Sequence, residues 1–235
     1  MTDEISGSAD PARTLALLWR TSEGATRRPG PRSALDVDRV VTAAIGLADA
    51  EGLAAVSMRR VATELGVGAM TLYGHVPSKK DLAHLMLDAV LAELYVEGTP
   101  AGNWRARVEA VARANWQLFL RHPWTVHLPA GPPWGPNRVR QYELELRAVD
   151  GLGLTEVQMD LLVALVNGFV RGTVAGVPER TTADQPFRHP ERFPTAARVR
   201  GAAGPAAAHS PERSFEFGLE RLLDGIGVLI LDASR

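Results

Sequence analysis

The sequence predicts an all-α protein, with an N-terminal three-helix helix-turn-helix domain followed by a larger helical body. Three observations lead there. Apolar residues recur at helical spacing through most of the chain, no strand-like alternation or repeat breaks that pattern, and two short helical segments flank a glycine turn between Ser57 and Val76. The chain has 235 residues, of which 46% are hydrophobic and 23% charged. That is enough for one sizeable domain or two small ones, and too apolar for wholesale disorder.

Residues 1–34 are rich in Gly, Pro, Ser and Arg and carry one short apolar patch at Leu15–Trp19, so a flexible arm with at most one helical turn is expected. Asp36 is a helix N-cap type, and Val37, Val40, Val41, Ala44, Ile45 and Ala48 then share one helical face until Gly52 stops it. Ser57 caps a second, short helix in which Val61 and Leu65 share a face, and Gly66 supplies the stop. A third runs from about Gly68 to His75, before Pro77 enforces a break. Ser78-Lys79-Lys80-Asp81 is a capping box for a fourth helix, with Leu82, Leu85, Met86, Ala89 and Val90 on its inner face. Longer helices are expected at Asn103–Arg121, roughly Asn137–Asp150, Thr155–Gly176 and Pro211–Ala233. The run 129–136, PAGPPWGP, reads as a rigid turn, and 177–210, with five prolines, as a mobile loop. The expected domains are therefore a helix-turn-helix domain at 35–95 and a larger helical body at 96–235.

Composition closes off several chemistries. With no cysteine there are no disulfides, thiolate metal sites or thiol nucleophiles. The acidic opening MTDEISGSAD has no apolar core for a secretory signal, and the uncharged run Leu161–Val170 is about half of a bilayer span, so a soluble, cytoplasmic chain is expected. Nucleophile-elbow, zinc-protease and phosphate-loop patterns are absent, and Gly225-Ile226-Gly227 lacks the third glycine of a dinucleotide loop. His84 and Asp88, four residues apart, read as a surface pair rather than a metal site. No cofactor is expected. The net charge is −1, yet Arg27 to Lys80 holds eight basic residues against five acidic ones, a local excess that favours a polyanion.

The segment SMRRVATELGVGAMTLYGHV has the apolar spacing of two short helices crossing steeply. Ala62 is small where the second helix passes, and Val67 and Leu72 close the core beneath. Ala69, Met70, Thr71, Tyr73 and Gly74 are left outward, free to enter a major groove, although a plain helical hairpin has the same core spacing. The run from Leu35 to Leu94 resembles the DNA-binding domain of TetR-family (tetracycline-repressor-like) regulators. The resemblance rests on LDVDRVVTAAIGLADAEGL, the LGV turn, the TLYxH recognition helix and the PSKKDL entry to the fourth helix. It implies that Arg59 reaches a base edge or phosphate, that Thr71, Tyr73 and His75 contact phosphates and bases, and that Lys79 binds a phosphate. Ala69 and Met70 stand where polar or Pro readers are common in the family, which points to apolar contact with thymine methyls. Arg27, Arg28 and Arg32 read as a solvated arm, with a flanking minor groove as the alternative.

Four of the five tryptophans, Trp104, Trp116, Trp124 and Trp134, fall in one short stretch. The resemblance implies an effector pocket in the helical body, and Trp116, Phe119, Trp124, His127, Trp134, Tyr142 and Asn167 are its candidate lining. The implied partners are a double-stranded DNA operator with pseudo-palindromic symmetry, a small and largely apolar effector, and a second copy of the chain. The dimer face is expected on a stripe of Leu161, Leu165, Gly168, Phe169 and Gly172, with Gly176 extending the G-x-x-x-G spacing. A matching face of Phe215, Leu219, Leu222, Leu223, Ile226 and Ile230 would complete it. The alternatives are a helical small-molecule enzyme and a DNA-binding scaffold without an effector. Ligand-sensitive DNA binding separates them from the regulator.

Overall fold

Four of the helices begin on a side-chain oxygen that accepts a backbone amide: Asp36 from Arg39, Ser57 from Arg60, Ser78 from Asp81 and Asn103 from Ala106, at 2.8–3.2 Å. The computed structural model describes residues 10–20, 35–94, 100–128, 131–175, 190–203 and 210–233. Among these residues every regular element is helical, in the order α1 (Pro11–Leu18), α2 (Val37–Glu51), α3 (Met58–Glu64), α4 (Ala69–His75), α5 (Lys79–Leu91), α6 (Trp104–Arg121), α7 (Pro136–Val149), α8 (Glu156–Ala175), α9 (Pro194–Ala203) and α10 (Pro211–Ala233). Two 3-10 turns, Leu53–Ala55 and Pro123–His127, link α2 to α3 and follow α6. The helices group into two compact units, Met1–Asp150 and Gly151–Arg235. This packing boundary lies well beyond residue 95, because α5 packs on α7 and α6 packs on α7 and on the turn behind it.

In the first unit α2, α3 and α4 surround a core of Val40, Ala44, Val56, Val61 and Leu72, closed by Leu82 and Met86 of α5. Val37, Ile45, Leu65 and Val67 of the expected core are only half-buried, and Leu47 takes a place in it. The turn between α3 and α4 places Gly66 at φ +67°, and the Val67 amide donates to the Ala62 carbonyl at 3.0 Å. A side chain at that φ would be strained, which is why glycine stands there.

Residues 10–20 correct the expectation of a mobile arm. Asp10 and Pro11 start α1, a full eight-residue helix, and Thr14 and Leu18 are buried. Thr14 Oγ1 donates to Asp81 Oδ1 at 2.5 Å, the Trp19 indole donates to the Trp134 carbonyl at 3.1 Å, and the Arg20 guanidinium pairs with Asp38. Arg27, Arg28 and Arg32 lie outside the described residues.

His84 and Asp88 correct a second expectation, since both are buried. Asp88 reaches from α5 to the start of α7, where its carboxylate accepts the Arg138 amide and the Asn137 side-chain amide, each at 3.0 Å. Burial raises the Asp88 pKa, and those hydrogen bonds work against the rise. Gly135 leaves room for this cap; a Cβ there would lie 2.3 Å from Asp88 Oδ1.

In the second unit α8 packs on α10. Leu162, Val166 and Val170 are buried, as are Phe215, Leu219, Leu223 and Ile226, and the Phe169 ring stacks on Phe215 at 5.8 Å. The α10 face expected to meet a partner is therefore spent inside the chain, and Phe169 turns inward against Gly218. Val157, Leu161 and Leu165 of α8 and Phe217, Val228 and Leu231 of α10 are exposed, and beside them Gly168 and Gly172 have open space where a Cβ would stand. Gly176 is outside the described residues. The 20-residue α8, at a hydropathy of 1.2, has the length and apolarity of a membrane-crossing helix. The expected 177–210 loop contains α9, so it is not structureless throughout.

Replacing Gly135 with alanine should push the Asp88 carboxylate off the α7 terminus and cost about 1–3 kcal/mol of stability, the price of a buried carboxylate losing its donors. Urea unfolding of Gly135→Ala against the parent reads this directly. An unchanged midpoint would mean that the cap contributes nothing.

Candidate nucleic-acid interface and effector elements

The recognition segment is only seven residues long, too short to hold a helix by itself. Its stability is tertiary: Leu72 and Val76 are wholly buried against the α2–α3 core, and with the inner side anchored the remaining positions turn outward. Met70 is 83% exposed and Tyr73 41%, while Thr71 and Gly74 are also exposed and Ala69 and His75 are half-buried. Arg59 is exposed on the first turn of α3, free of any ion pair among the described residues, whereas its neighbour Arg60 is paired with Glu51 at 3.0 Å. Lys79 is the first residue of α5 and half-buried. Hydroxyls, an ammonium and a guanidinium on consecutive short helices are suited to phosphate and base-edge hydrogen bonds, and a bare Met70 to an apolar base contact.

The candidate effector residues differ in exposure. Trp116 and Phe119 are buried on the inner face of α6, and Trp124 is buried in the following turn. Trp134 and Tyr142 are half-buried and paired, rings 5.5 Å apart, with the Arg138 guanidinium 5.5 Å above the Trp134 ring. His127 is exposed at the end of its turn, and Asn167 belongs to the second unit.

Two polar groupings escaped the sequence reading. In the α6–α7 contact Asn115, Gln141 and Glu145 are at most 2% exposed. Asn115 and Gln141 each donate to Glu145 Oε1, at 2.8 and 2.9 Å, Gln141 also donates to Asn115, and Arg138 donates to Gln141 at 2.6 Å. The available signal was Asn115 standing among Val108, Val111, Ala112 and Trp116 on one apolar face. The second grouping ties α6 back to the helix-turn-helix. One His122 ring nitrogen lies 2.8 Å from Asp49 of α2 and the other 3.2 Å from Glu93 beyond α5, and the Trp124 indole donates to the same Asp49 oxygen at 2.6 Å. Any displacement of the end of α6 is thus felt at α2.

A short outward helix packed on a second short helix across a glycine turn, with a supporting helix on either side, is the arrangement of a helix-turn-helix DNA-binding protein. Residues 40–86 match the family model described as bacterial regulatory proteins, tetR family, and residues 98–230 match the tetracyclin repressor-like C-terminal domain. The chain is 39% identical to the HTH-type transcriptional repressor DrrR1 of Streptomyces coeruleorubidus, over 97% of this chain and 89% of that one. Among solved structures it resembles apo ActR from Streptomyces coelicolor at a TM-score of 0.71, with 30% identity, covering 87% of this chain and 99% of ActR. ActR in complex with actinorhodin aligns at a TM-score of 0.69, with 29% identity, over 86% of this chain and 99% of that one. The chain belongs to the TetR family and is a DNA-binding transcriptional regulator. Regulators of this family are generally non-enzymatic and work as dimers on DNA operators and small-molecule ligands.

Asp49→Ala removes the acceptor shared by Trp124 and His122 and leaves a buried indole N–H without its partner. A loss of about 1–3 kcal/mol in chemical denaturation is expected, with the change followed through Trp fluorescence. A neutral substitution would show that this tie is not structural.

Proposed function

We propose that this protein is a cytoplasmic homodimeric repressor that occupies a pseudo-palindromic operator and is released by a small, largely apolar effector. The observation that carries the DNA half of this reading is the outward face of α4, where Met70, Thr71 and Tyr73 are exposed while Leu72 is fully buried. Thr71, Tyr73 and Lys79 take phosphates, Arg59 and His75 reach base edges or phosphate, and Ala69 and Met70 meet thymine methyls. Residues 35–95 form the DNA-binding region, and 96–235 carry effector binding and dimerisation.

The effector half is supported by the Trp134–Tyr142 pair, an aromatic surface left partly open beneath the Arg138 guanidinium, with Trp116, Phe119, Trp124, His127 and Asn167 as the further candidate lining. A repressor relative and an ActR structure with actinorhodin bound are in keeping with it. Dimerisation is supported by the exposed apolar residues of α8 and α10 around Gly168 and Gly172, where a partner helix can approach closely. The effector needs only a few kcal/mol of differential affinity to move the two recognition helices out of register. Thermal-shift screening for a ligand, then gel shifts on a selected duplex with each hit, tests the whole reading. A stabilising ligand that leaves DNA binding intact would overturn the effector assignment.

Tyr73→Phe and Lys79→Ala should each weaken binding to every duplex about equally and lower the slope of log K against log salt by about one per lost phosphate contact. Unaltered slopes in both would remove these residues from the interface. Gly172→Leu places bulk on the outward α8 face and should yield monomers that fail to hold a two-half-site duplex while the helix-turn-helix stays folded. Sedimentation velocity and a gel shift read both, and a dimer with normal affinity would put the interface elsewhere.

A further inference from the structure

A pocket of about 310 Å³ opens between the Leu53–Ala55 turn, the first three turns of α5 and the end of the Pro123–His127 turn. Its walls are apolar, formed by Leu53, Ala83, Leu87 and Leu128, and its cationic lining residues are Lys79 and Lys80. Among the described residues no carboxylate lines it, and neither lysine is ion-paired. Burial, reinforced by the Lys80 ammonium and opposed by the Asp81 carboxylate, lowers the pKa of His84 on the pocket wall, so the lysines are the cationic residues of the lining. An apolar chamber at the lower end of small-molecule pocket sizes, with two unpaired cations, is complementary to one kind of occupant.

We propose that this pocket binds a small amphipathic organic anion, its apolar part against Leu53, Leu87 and Leu128 and its acid group on Lys79 and Lys80, and that the bound anion withdraws Lys79 from DNA. The site is separate from the Trp134–Tyr142 surface, and its regulatory consequence rests on the assignment of Lys79 as a phosphate ligand. One ammonium cannot serve an organic acid and a DNA phosphate together, so the two ligands oppose one another through a shared group. Linkage makes the opposition reciprocal: DNA weakens anion binding by the factor by which the anion weakens DNA binding.

The test uses the full chain, the aromatic sulfonate 1-anilinonaphthalene-8-sulfonate and its uncharged relative N-phenyl-1-naphthylamine, with a duplex selected from a random-sequence pool. Ala83→Trp fills the chamber, and Lys80→Glu reverses a charge at an exposed position. The sulfonate should bind the parent saturably and each variant about tenfold more weakly or worse, whereas the uncharged probe should not discriminate against Lys80→Glu. Saturating sulfonate should weaken DNA binding by the parent about tenfold, while Ala83→Trp keeps its DNA affinity and becomes insensitive. Equal sulfonate affinity in the parent and in folded variants, or sulfonate binding without effect on DNA, overturns the proposal. Continued release of DNA from Ala83→Trp also overturns it, and places the sensitive site elsewhere in the repressor. If Ala83→Trp does not fold, by circular dichroism, Lys80→Glu decides. If selection returns no bound duplex, the DNA reading fails, and the probe titrations still decide whether the pocket takes anions.

Discussion

The first unit depends on the carboxylates of α5 being bonded to elements on different sides of it. Asp81 accepts from Ser78 within its own capping box and from Thr14 of α1. Two turns later Asp88 closes the N-terminus of α7. Between them Leu82, Leu85 and Met86 fill the core of the helix-turn-helix. These bonds link α5, whose first residue is Lys79, to both α1 and α7. Each buried carboxylate has its donors because an unpaired one would cost more than the fold can spare.

A second tie, from Asp49 through His122 to Glu93, joins the end of α6 to α2 and to the end of α5. With the α5 contacts it makes the helix-turn-helix and the two helices α6 and α7 a single packing unit. Regulation by a ligand requires this kind of coupling. If the recognition helix hung on a free linker, a ligand in the body would have no differential contact with the two DNA-binding states, and no population could shift.

The second unit solves a different problem. Its α8 is apolar on most of its circumference, and α10 covers only one side, through Phe215, Leu219, Leu223 and Ile226. Leu161 and Leu165 remain in water beside Gly168 and Gly172, which have no side chain to fill the space. A helix interior glycine costs roughly 0.5–1 kcal/mol relative to alanine. Gly168 and Gly172 thus leave that exposed side of α8 low and open.

Much of this was legible in the residues themselves. Helix starts at Asp36, Ser57, Ser78 and Asn103, stops at Gly52 and Gly66, and the outward set on α4 all follow from bonds spanning three or four residues or from helical periodicity. Local chemistry decides these. The docking of α1 did not follow, since Thr14 meets Asp81 across 67 positions, nor did the capping of α7 by Asp88 across 50, nor the bond of His122 to Asp49 across 73. The direction of the α10 apolar face was misread for the same reason. Periodicity shows that a helix has an apolar side, but whether its own chain or a partner covers that side is decided only when distant segments pack. The sequence alone thus determined the helices and the reading head, and tertiary packing decided which polar groups pair and which apolar faces stay open.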